Sequence, residues 1–441
     1  MTTRSATGAG GRARAPRPPT RPASGGEPSL RRLGELTRER TEANRLFFEA
    51  EAERVARLCH RMAERFGRGG RLLAFASTAA ALSDARHVAV EFVHPVIVGK
   101  RALPALAIAG DAGDLVDRVA LAAEADDIVM AFGLDEGGAA AGAGARAVAA
   151  ARARGCLTVA FSAAVGAEWA FEPPSADPFV RQELGETLYH VLWELVHVFF
   201  EHRGLLEGQA NGQTHGAGAS SFLYPFLDAR ESGLEGVVDD VRRSVLAKAA
   251  EVGALREGTL GEGAEVLVAA AADLRRALPG GGTLLALGNG GSSTDAADVV
   301  ADFREPPPGA GGGRATAWPA RRALDLSEDP GILTAVANDI GPEAMFARQV
   351  IAYGRPGDAV LALSTSGNSA NVIAALAEAR RRGLATIAMV GYDGGRVAAE
   401  GLADHVVVTR SENLPRIQEA QASAYHALRE LVETADEGEA A

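Results

Sequence analysis

Two loops rich in glycine and hydroxyl side chains have the residue types that bind a phosphate group. Residues 288–294 read Gly-Asn-Gly-Gly-Ser-Ser-Thr after a predicted strand over 284–287, and residues 364–369 read Ser-Thr-Ser-Gly-Asn-Ser after one over 359–363. Glycine lets backbone amides approach an anion, and the N–H groups that open a helix favour negative charge. The predicted phosphate-binding residues are Asn289, Gly290, Gly291, Ser292, Ser364, Thr365, Ser366 and Ser369.

The residue types in these loops limit the class of ligand that they can bind. Neither loop contains lysine, so the pattern of nucleoside triphosphatases is absent and a phosphate monoester is expected. An ordinary helix N-cap needs one hydroxyl, whereas residues 364–369 supply four. The second loop at a neighbouring strand end therefore favours a binding site over simple turns.

Histidine, carboxylate and amide side chains recur at helical spacing earlier in the chain. His87 and Glu91 are four residues apart, and Gln182, Glu186 and His190 follow one another at the same interval. Each set therefore lies on one helix face. Two such faces in contact would offer two imidazoles, a carboxylate and an amide oxygen, which suits zinc with an open position. A His/Glu pair at this spacing is, however, more often a solvated surface pair.

Both groups of residues belong to two copies of one pattern. Gly-Gly-Arg-Leu-Leu-Ala-Phe at 69–75 matches Gly-Gly-Thr-Leu-Leu-Ala-Leu at 281–287, and Ser-Asp-Ala at 83–85 matches Thr-Asp-Ala at 294–296. In each copy, short apolar runs alternate with helical stretches, which is typical of βαβ units. The predicted fold class is α/β, with two domains that each have a parallel sheet covered by helices on both faces.

Composition sets the domain boundaries. We predict a disordered basic tail over 1–32, a first domain over 33–203, a linker rich in Gly, Asn and Ser over 204–235, and a second domain over 236–441. The tail contains seven arginines and one acidic residue, although the whole chain carries a net charge of −12. The acidic remainder argues against nucleic-acid binding.

Other function classes are excluded by what the chain lacks. No uncharged apolar run approaches 18 residues, and no apolar signal segment begins the chain, so we expect no membrane association and a cytoplasmic location. Cys59 and Cys156 are too few and too far apart for a disulfide framework.

The second copy resembles the sugar isomerase (SIS) domains of phosphoheptose isomerases. Its two loops, Asn338-Asp339 and the run Arg-Ile-Gln-Glu at 416–419 follow one another as in that family, and the match spans 236–434. The first copy resembles the family more weakly, over 36–201. The resemblance implies flavodoxin-like domains and an aldose–ketose isomerase that converts sedoheptulose 7-phosphate to D-glycero-D-manno-heptose 7-phosphate through an enediolate. It also implies four SIS units packed through helices, which this chain would reach as a homodimer.

Residue roles follow from the same resemblance. The positions that bind zinc in phosphoheptose isomerases carry His87, Glu91, Gln182 and His190, with Glu91 as the base and His190 as the acid. Further predicted substrate-binding residues are Asp302, Asn338, Asp339, Gln418 and His426.

Neither copy carries a complete site. The first lacks the glycine-rich loop and has Asp135 and Glu136 where phosphate would bind, and the second has Asp298 and Asp302 where the family has His and Glu. The eleven residues from Gly291 to Asp302 span about 16 Å of helix, whereas phosphorus and C1 of an extended heptulose phosphate are roughly 10 Å apart. We therefore predict a shared site, in which the second copy's loops serve the first copy's four zinc-type residues.

Two alternatives stay open. A protein that binds a phosphosugar through the second copy, and uses the first only to dimerise, would be a sensor without catalysis. Alternatively, a separate metal site would consist of Asp298, Asp302, Gln418 and His426. We favour it less because aspartate is one methylene shorter than glutamate and lacks the imidazole of histidine.

Overall fold

The computed structural model describes residues 26–96, 100–110, 113–133, 138–162, 165–201, 233–308, 310 and 318–433. In this part of the chain, the backbone forms two sheets of five parallel strands. Helices flank both sheets, and each sheet belongs to one half of the chain.

The first half contains one sheet with the order β2-β1-β3-β4-β5. Its strands are β1 (Leu72–Ala76), β2 (Ala105–Ile108), β3 (Ile128–Phe132), β4 (Leu157–Ala160) and β5 (Trp169–Ala170). Its helices are α1 (Gly26–Gly67), α2 (Ala79–Val93), α3 (Leu115–Ala122), α4 (Gly138–Ala153) and α5 (Pro178–Glu201).

The second half repeats this order as β7-β6-β8-β9-β10. Its strands are β6 (Leu284–Leu287), β7 (Ala323–Asp325), β8 (Ala359–Ser364), β9 (Ala385–Gly391) and β10 (His405–Thr409). A short 3₁₀ turn, Pro342–Ala344, accompanies its helices, which are α6 (Leu234–Glu262), α7 (Ala264–Ala277), α8 (Gly291–Arg304), α9 (Pro330–Asp339), α10 (Met345–Tyr353), α11 (Ala370–Arg381), α12 (Gly395–Ala399) and α13 (Leu414–Glu433).

The central strands are continuous apolar runs because helices cover both faces of each sheet. Every residue of β1, β3 and β8 is buried. Where β1 ends, Thr78 caps α2 by accepting a hydrogen bond from the Ala81 N–H at 3.3 Å. The predicted fold class, α/β with two parallel-sheet domains, is confirmed.

The two halves interlock through their first helices. Leu33 and Leu36, near the start of α1, are buried in the core of the second half beside Leu267. In return, Val237 and Val241, near the start of α6, are buried in the core of the first half. Each half therefore completes the hydrophobic core of the other.

The ends of these helices differ from the predicted boundaries. Helix α1 begins at Gly26, so residues 26–32 are helical rather than part of a disordered tail. Helix α6 begins at Leu234, two residues before the predicted second domain. The tail before residue 26 and the linker over 202–232 lie outside the described residues. Within the described ranges, no helix combines the length and apolarity needed to cross a bilayer.

Because the cores are shared, we expect Leu36→Ala to destabilise both halves at once. Leu36 is fully buried, and truncation of such a leucine typically lowers the free energy of unfolding by about 2–5 kcal/mol. Urea unfolding followed by circular dichroism should show one transition at a lower midpoint. Leu121→Ala is the matched control, since Leu121 is 88% exposed and its loss should change little. Loss of only part of the signal would contradict a shared core.

Candidate active site

The two predicted phosphate loops lie side by side at one edge of the second sheet. The loop after β6 and the loop after β8 adjoin because these strands pair directly. Asn289 of the first loop and Asn371, at the start of α11, exchange two amide hydrogen bonds of 3.0 and 2.8 Å. We call residues 288–292 and 364–369 the cradle.

Hydroxyl groups in the cradle are oriented by the backbone. The Ser364 Oγ accepts from the Gly367 N–H and the Ser366 Oγ from the Asn368 N–H, both at 3.2 Å. A hydroxyl that accepts in this way still has its own proton to donate to an anion. Gly367 has φ of +61°, and a Cβ there would lie 2.3 Å from the Gly394 carbonyl oxygen, so this turn requires glycine.

Two histidines of the first half face each other at the buried interface with the second half. His87 on α2 and His190 on α5 have their Nε2 atoms 3.3 Å apart. The opposite nitrogen of each ring meets a carboxylate of the second half: His87 Nδ1 lies 3.2 Å from Asp295, and His190 Nδ1 lies 2.9 Å from Glu419. A carboxylate fixes the proton on Nδ1, so both Nε2 atoms present lone pairs to the same small space.

Further polar side chains surround this space. Glu91 Oε1 lies 3.8 Å from His87 Nε2, and Gln418, from α13 of the second half, lies 3.1 Å from that same nitrogen. Glu186 offers a carboxylate oxygen within 4.8 Å of donor atoms on both histidines. One oxygen of Glu91 and one of Glu186 are buried with no hydrogen-bond partner. The histidine centre below means His87, Glu91, Glu186, His190 and Gln418.

Burial dominates the protonation of this centre. It raises the pKa of Glu91 to about 7, with help from the charges of Asp295 and Glu194 and against the effect of His87. Burial also holds the pKa of Glu186 well above its ordinary value. The pKa of His190 lies well below its usual range because of burial and the charges of His87 and Arg416. Burial thus favours the neutral forms of Glu91, Glu186 and His190. At His87 burial lowers the pKa, but the charges of Asp295 and Glu91 outweigh it and raise the pKa.

The donor set fits zinc. Ligand atoms at zinc distances of about 2.0–2.1 Å in a tetrahedron are about 3.3 Å apart, and the two Nε2 atoms have that separation. The two Nε2 atoms and a Glu186 carboxylate oxygen lie close enough together to hold one cation. Glu186 offers the carboxylate oxygen that would complete a three-ligand set with the two imidazoles.

Gln182 does not join the histidine centre as the sequence predicted. Its amide nitrogen donates instead to Asp298 at 2.8 Å and to Asp84 at 3.1 Å. Gln418 takes the expected place beside His87. The glutamines are thus exchanged between the halves: Gln182, and not Gln418, lies beside Asp298.

Asp298, Asp302 and His426 form a second buried group, which we call the carboxylate cluster. His426 Nε2 lies 3.3 Å from Asp298 Oδ2 and 3.4 Å from Asp302 Oδ2. Burial alone would lower the pKa of His426, but its contacts with Asp298 and Glu183 and the charge of Asp302 raise it to about 10. Asp302 and His426 thus belong to this cluster and make no contact with the cradle among the described residues.

The equivalent loop of the first half is closed. Ser77 donates to the Gly133 carbonyl oxygen, and a Cβ on Gly133 would lie 2.5 Å from Ala81. The space that the cradle offers in the second half is therefore filled here by the chain itself. Asp135 and Glu136, predicted to repel phosphate, lie outside the described residues.

Asn338 and Asp339 lie at the end of α9, where both are exposed. Asn338 donates to Asp339 at 2.8 Å, and in the described part of the chain neither side chain bonds to the cradle. Their predicted role in substrate binding is not reflected in this arrangement.

Sequence reasoning missed the two carboxylates that orient the histidines. In the sequence, Asp295 and Glu419 stand out only as parts of motifs, and nothing in their spacing points to His87 or His190. The available signal was their position: Asp295 precedes Asp298 by three residues, and Glu419 directly follows Gln418.

The cradle touches the histidine centre at Gly291. A Cβ on Gly291 would lie 2.0 Å from Gln418 Nε2 and 2.7 Å from His87 Nε2. Asn289 and Gly290 are exposed whereas Gly291 and Ser292 are buried, so the loop runs from solvent to the interface. The predicted phosphate loop of the second half thus ends against the imidazole of His87 in the first half.

Known proteins share this architecture and these motifs. A family model described as "SIS domain" matches residues 249–391. A phosphoheptose isomerase from Nitratidesulfovibrio vulgaris is 37% identical over 202 residues, which make up 45% of this chain and 90% of that protein. Another, from Chlorobaculum tepidum, is 41% identical over 184 residues, or 41% of this chain and 83% of that protein.

A solved structure extends the likeness to both halves. The C-terminal domain of glucosamine-fructose-6-phosphate aminotransferase from Francisella tularensis has a TM-score of 0.55 and covers 90% of this chain and 93% of its own. At 10% identity, this likeness supports the fold alone.

The paired parallel sheets and the glycine-serine cradle define a protein of the SIS class. Since the chain covers nine-tenths of a relative at 37% identity, it belongs to the phosphoheptose isomerase family of aldose–ketose isomerases. The family predicted from the sequence is confirmed.

The contact at Gly291 can be tested by adding one methyl group. Gly291→Ala should lower the free energy of unfolding by about 1–3 kcal/mol, because the methyl group displaces buried Gln418 and His87. Thermal unfolding measures the change. Gly261→Ala is the control, since that helical glycine has no atom within 4 Å of its Cβ position and should be unaffected or stabilised. An unchanged Gly291→Ala would contradict the close contact.

Proposed function

We propose that the chain is a phosphosugar isomerase whose single active site is shared between its halves, with the cradle from the second and the histidine centre from the first. The proposed reaction converts sedoheptulose 7-phosphate to D-glycero-D-manno-heptose 7-phosphate. The approach of Gly291 to His87 carries the proposal, because it joins a phosphate-binding loop to acid–base groups that neither half assembles alone.

Binding would begin at the cradle. Ser364 and Ser366 have hydroxyl protons to donate, and the start of α8 offers backbone N–H groups to the phosphate. The sugar carbons would then extend towards the buried interface. The phosphate anchor thus holds the reacting carbons in place, which lowers the entropic part of the barrier.

Buried side chains of the first half would carry out the proton transfer. Glu91 is the proposed base that takes the proton from carbon, and one of its oxygens has no competing hydrogen bond. A base in a site without water acts on a positioned substrate and not on solvent. His190 is the proposed acid. Glu419 leaves only its Nε2 facing the site, so it donates a proton only while that nitrogen is not bound to a metal.

Zinc is the proposed cofactor, held by His87, His190 and Glu186 with Gln418 beside them. A bound zinc ion would supply Lewis-acid polarisation of the substrate carbonyl. Asp295 and Glu419 would hold the two imidazoles in the tautomer that a metal needs. Pairing of two chains, to give four SIS units, stays a prediction.

Substitutions on opposite halves test the shared site. Glu91→Gln removes the base and should reduce turnover at least 100-fold, within the range for general-base loss. Ser366→Ala removes a hydrogen bond to the charged phosphate and should reduce kcat/KM about 10- to 100-fold. Purified protein is incubated with sedoheptulose 7-phosphate and zinc, and aldoheptose phosphate is measured. Ser77→Ala, in the closed loop of the first half, is the matched control and should keep wild-type activity.

The alternatives predict other results. A sensor would bind the phosphosugar through the cradle but form no product, and its binding would survive Glu91→Gln. Full activity in either Glu91→Gln or Ser366→Ala would exclude the shared site.

The role of Asp295 can be tested separately from turnover. Asp295→Asn replaces a charged acceptor for His87 by a neutral one, and loss of such a partner typically lowers metal affinity about 10–100-fold. Competition with a chromophoric chelator measures zinc affinity. Asp329→Asn is the control, because Asp329 is an exposed helix N-cap and asparagine caps equally well. Unchanged zinc affinity in Asp295→Asn would remove Asp295 from the centre.

A further inference from the structure

The carboxylate cluster is a second site with its own chemistry. Asp298 and Asp302 lie on α8, and His426 lies on α13, all at most 2% exposed. The cluster occupies the place in the second half that His87, Glu91 and His190 occupy in the first. Its two aspartates replace an imidazole and a longer carboxylate.

The orientation of His426 leaves a lone pair without a partner. Its Nδ1 lies 3.0 Å from Glu183, which is held as an anion by Arg40 at 2.9 Å and by the Ser423 hydroxyl. The proton of a neutral His426 therefore belongs on Nδ1. Its Nε2 lone pair then faces one oxygen each of Asp298 and Asp302. A second proton on Nε2, or a metal cation in its place, would bridge these three atoms.

Asp298 and Asp302 differ in how they are satisfied. Asp298 accepts from Gln182 at 2.8 Å, Tyr425 at 2.8 Å and Ser83 at 3.2 Å. Both carboxylate oxygens of Asp302 are buried and accept no hydrogen bond. Arg429 is close, but its Nε donates to the Asp302 main-chain carbonyl and not to the carboxylate.

A third carboxylate lies beside the cluster. Asp84 faces Asp298 across Gln182, which donates to both. Two carboxylates of this group would neutralise a bound divalent cation.

We propose that Asp298, Asp302 and His426 bind a divalent cation, Zn²⁺ or Mn²⁺, that is separate from the ion proposed at the histidine centre. The donor separations of 3.3 and 3.4 Å match the edge of about 3.3 Å for a tetrahedral zinc site. Two carboxylates with one imidazole suit borderline and oxygen-preferring cations.

The cation in the carboxylate cluster has a structural role and not a catalytic one. The loop of the first half at this position is closed by Ser77 and Gly133, so the cation has no cradle to work with. Gln182 and Glu183 of the first half hold Asp298 and His426 of the second, so the cation fastens α8 and α13 to α5. Its binding does not require the proposed isomerase reaction.

Metal content of the full chain tests the proposal without reference to turnover. Protein is produced in medium with Zn²⁺ and Mn²⁺, dialysed against metal-free buffer and analysed by inductively coupled plasma mass spectrometry. We expect about two ions per wild-type chain, and about one in either His87→Ala/His190→Ala or Asp298→Asn/Asp302→Asn. Asp329→Asn should keep both ions.

Each outcome of the metal analysis supports or overturns the second site. No ion in the wild type, or the same number of ions in the wild type and in Asp298→Asn/Asp302→Asn, would overturn the second site. If the aspartate variant does not fold, the His87→Ala/His190→Ala protein still answers the question, since one ion must remain there. Removal of that ion by a chelator should lower its melting temperature, whereas an unaltered temperature would show that the cluster binds no structural cation.

Discussion

The packing of α5 against α13 is the constraint on which both buried centres depend. Each helix carries a histidine whose Nδ1 is held by a glutamate from the other: His190 by Glu419 at 2.9 Å, and His426 by Glu183 at 3.0 Å. A buried imidazole N–H needs an acceptor, so neither histidine can be oriented unless both helices are in place. The two contacts set which nitrogen of each ring faces its site, and therefore what each site can bind.

The same packing explains why the two halves differ in chemistry and yet remain alike in shape. The glutamines Gln182 and Gln418 cross the interface, so each centre takes its amide from the opposite half. The cradle survives in the second half and the paired histidines in the first. Changes that remove a function from one half are tolerated because the remaining parts meet at one place.

Local chemistry was predictable from the sequence, whereas exchange across the interface was not. The cradle could be identified because its glycines and hydroxyls are contiguous and follow apolar strands. Gln182 and Gln418 have identical helical spacing to their histidines, so only the packing of α5 and α13 decides which centre each joins. The prediction of a tail over residues 26–32 was wrong because the arginines and glycines there suggest disorder. Leu30, Leu33 and Leu36 have the apolar spacing of a helix, which was the available signal.

Shared cores also determine the order in which the chain can fold during synthesis. The start of α1 is synthesised before its packing partners, because Leu33 and Leu36 pack beside residues of α7 and α13. Arg40 pairs with Glu183 of the first half and also with Glu430 of α13. A nascent first half therefore exposes these leucines until α13 has been made, and exposed apolar surface of this kind is what chaperones protect during translation.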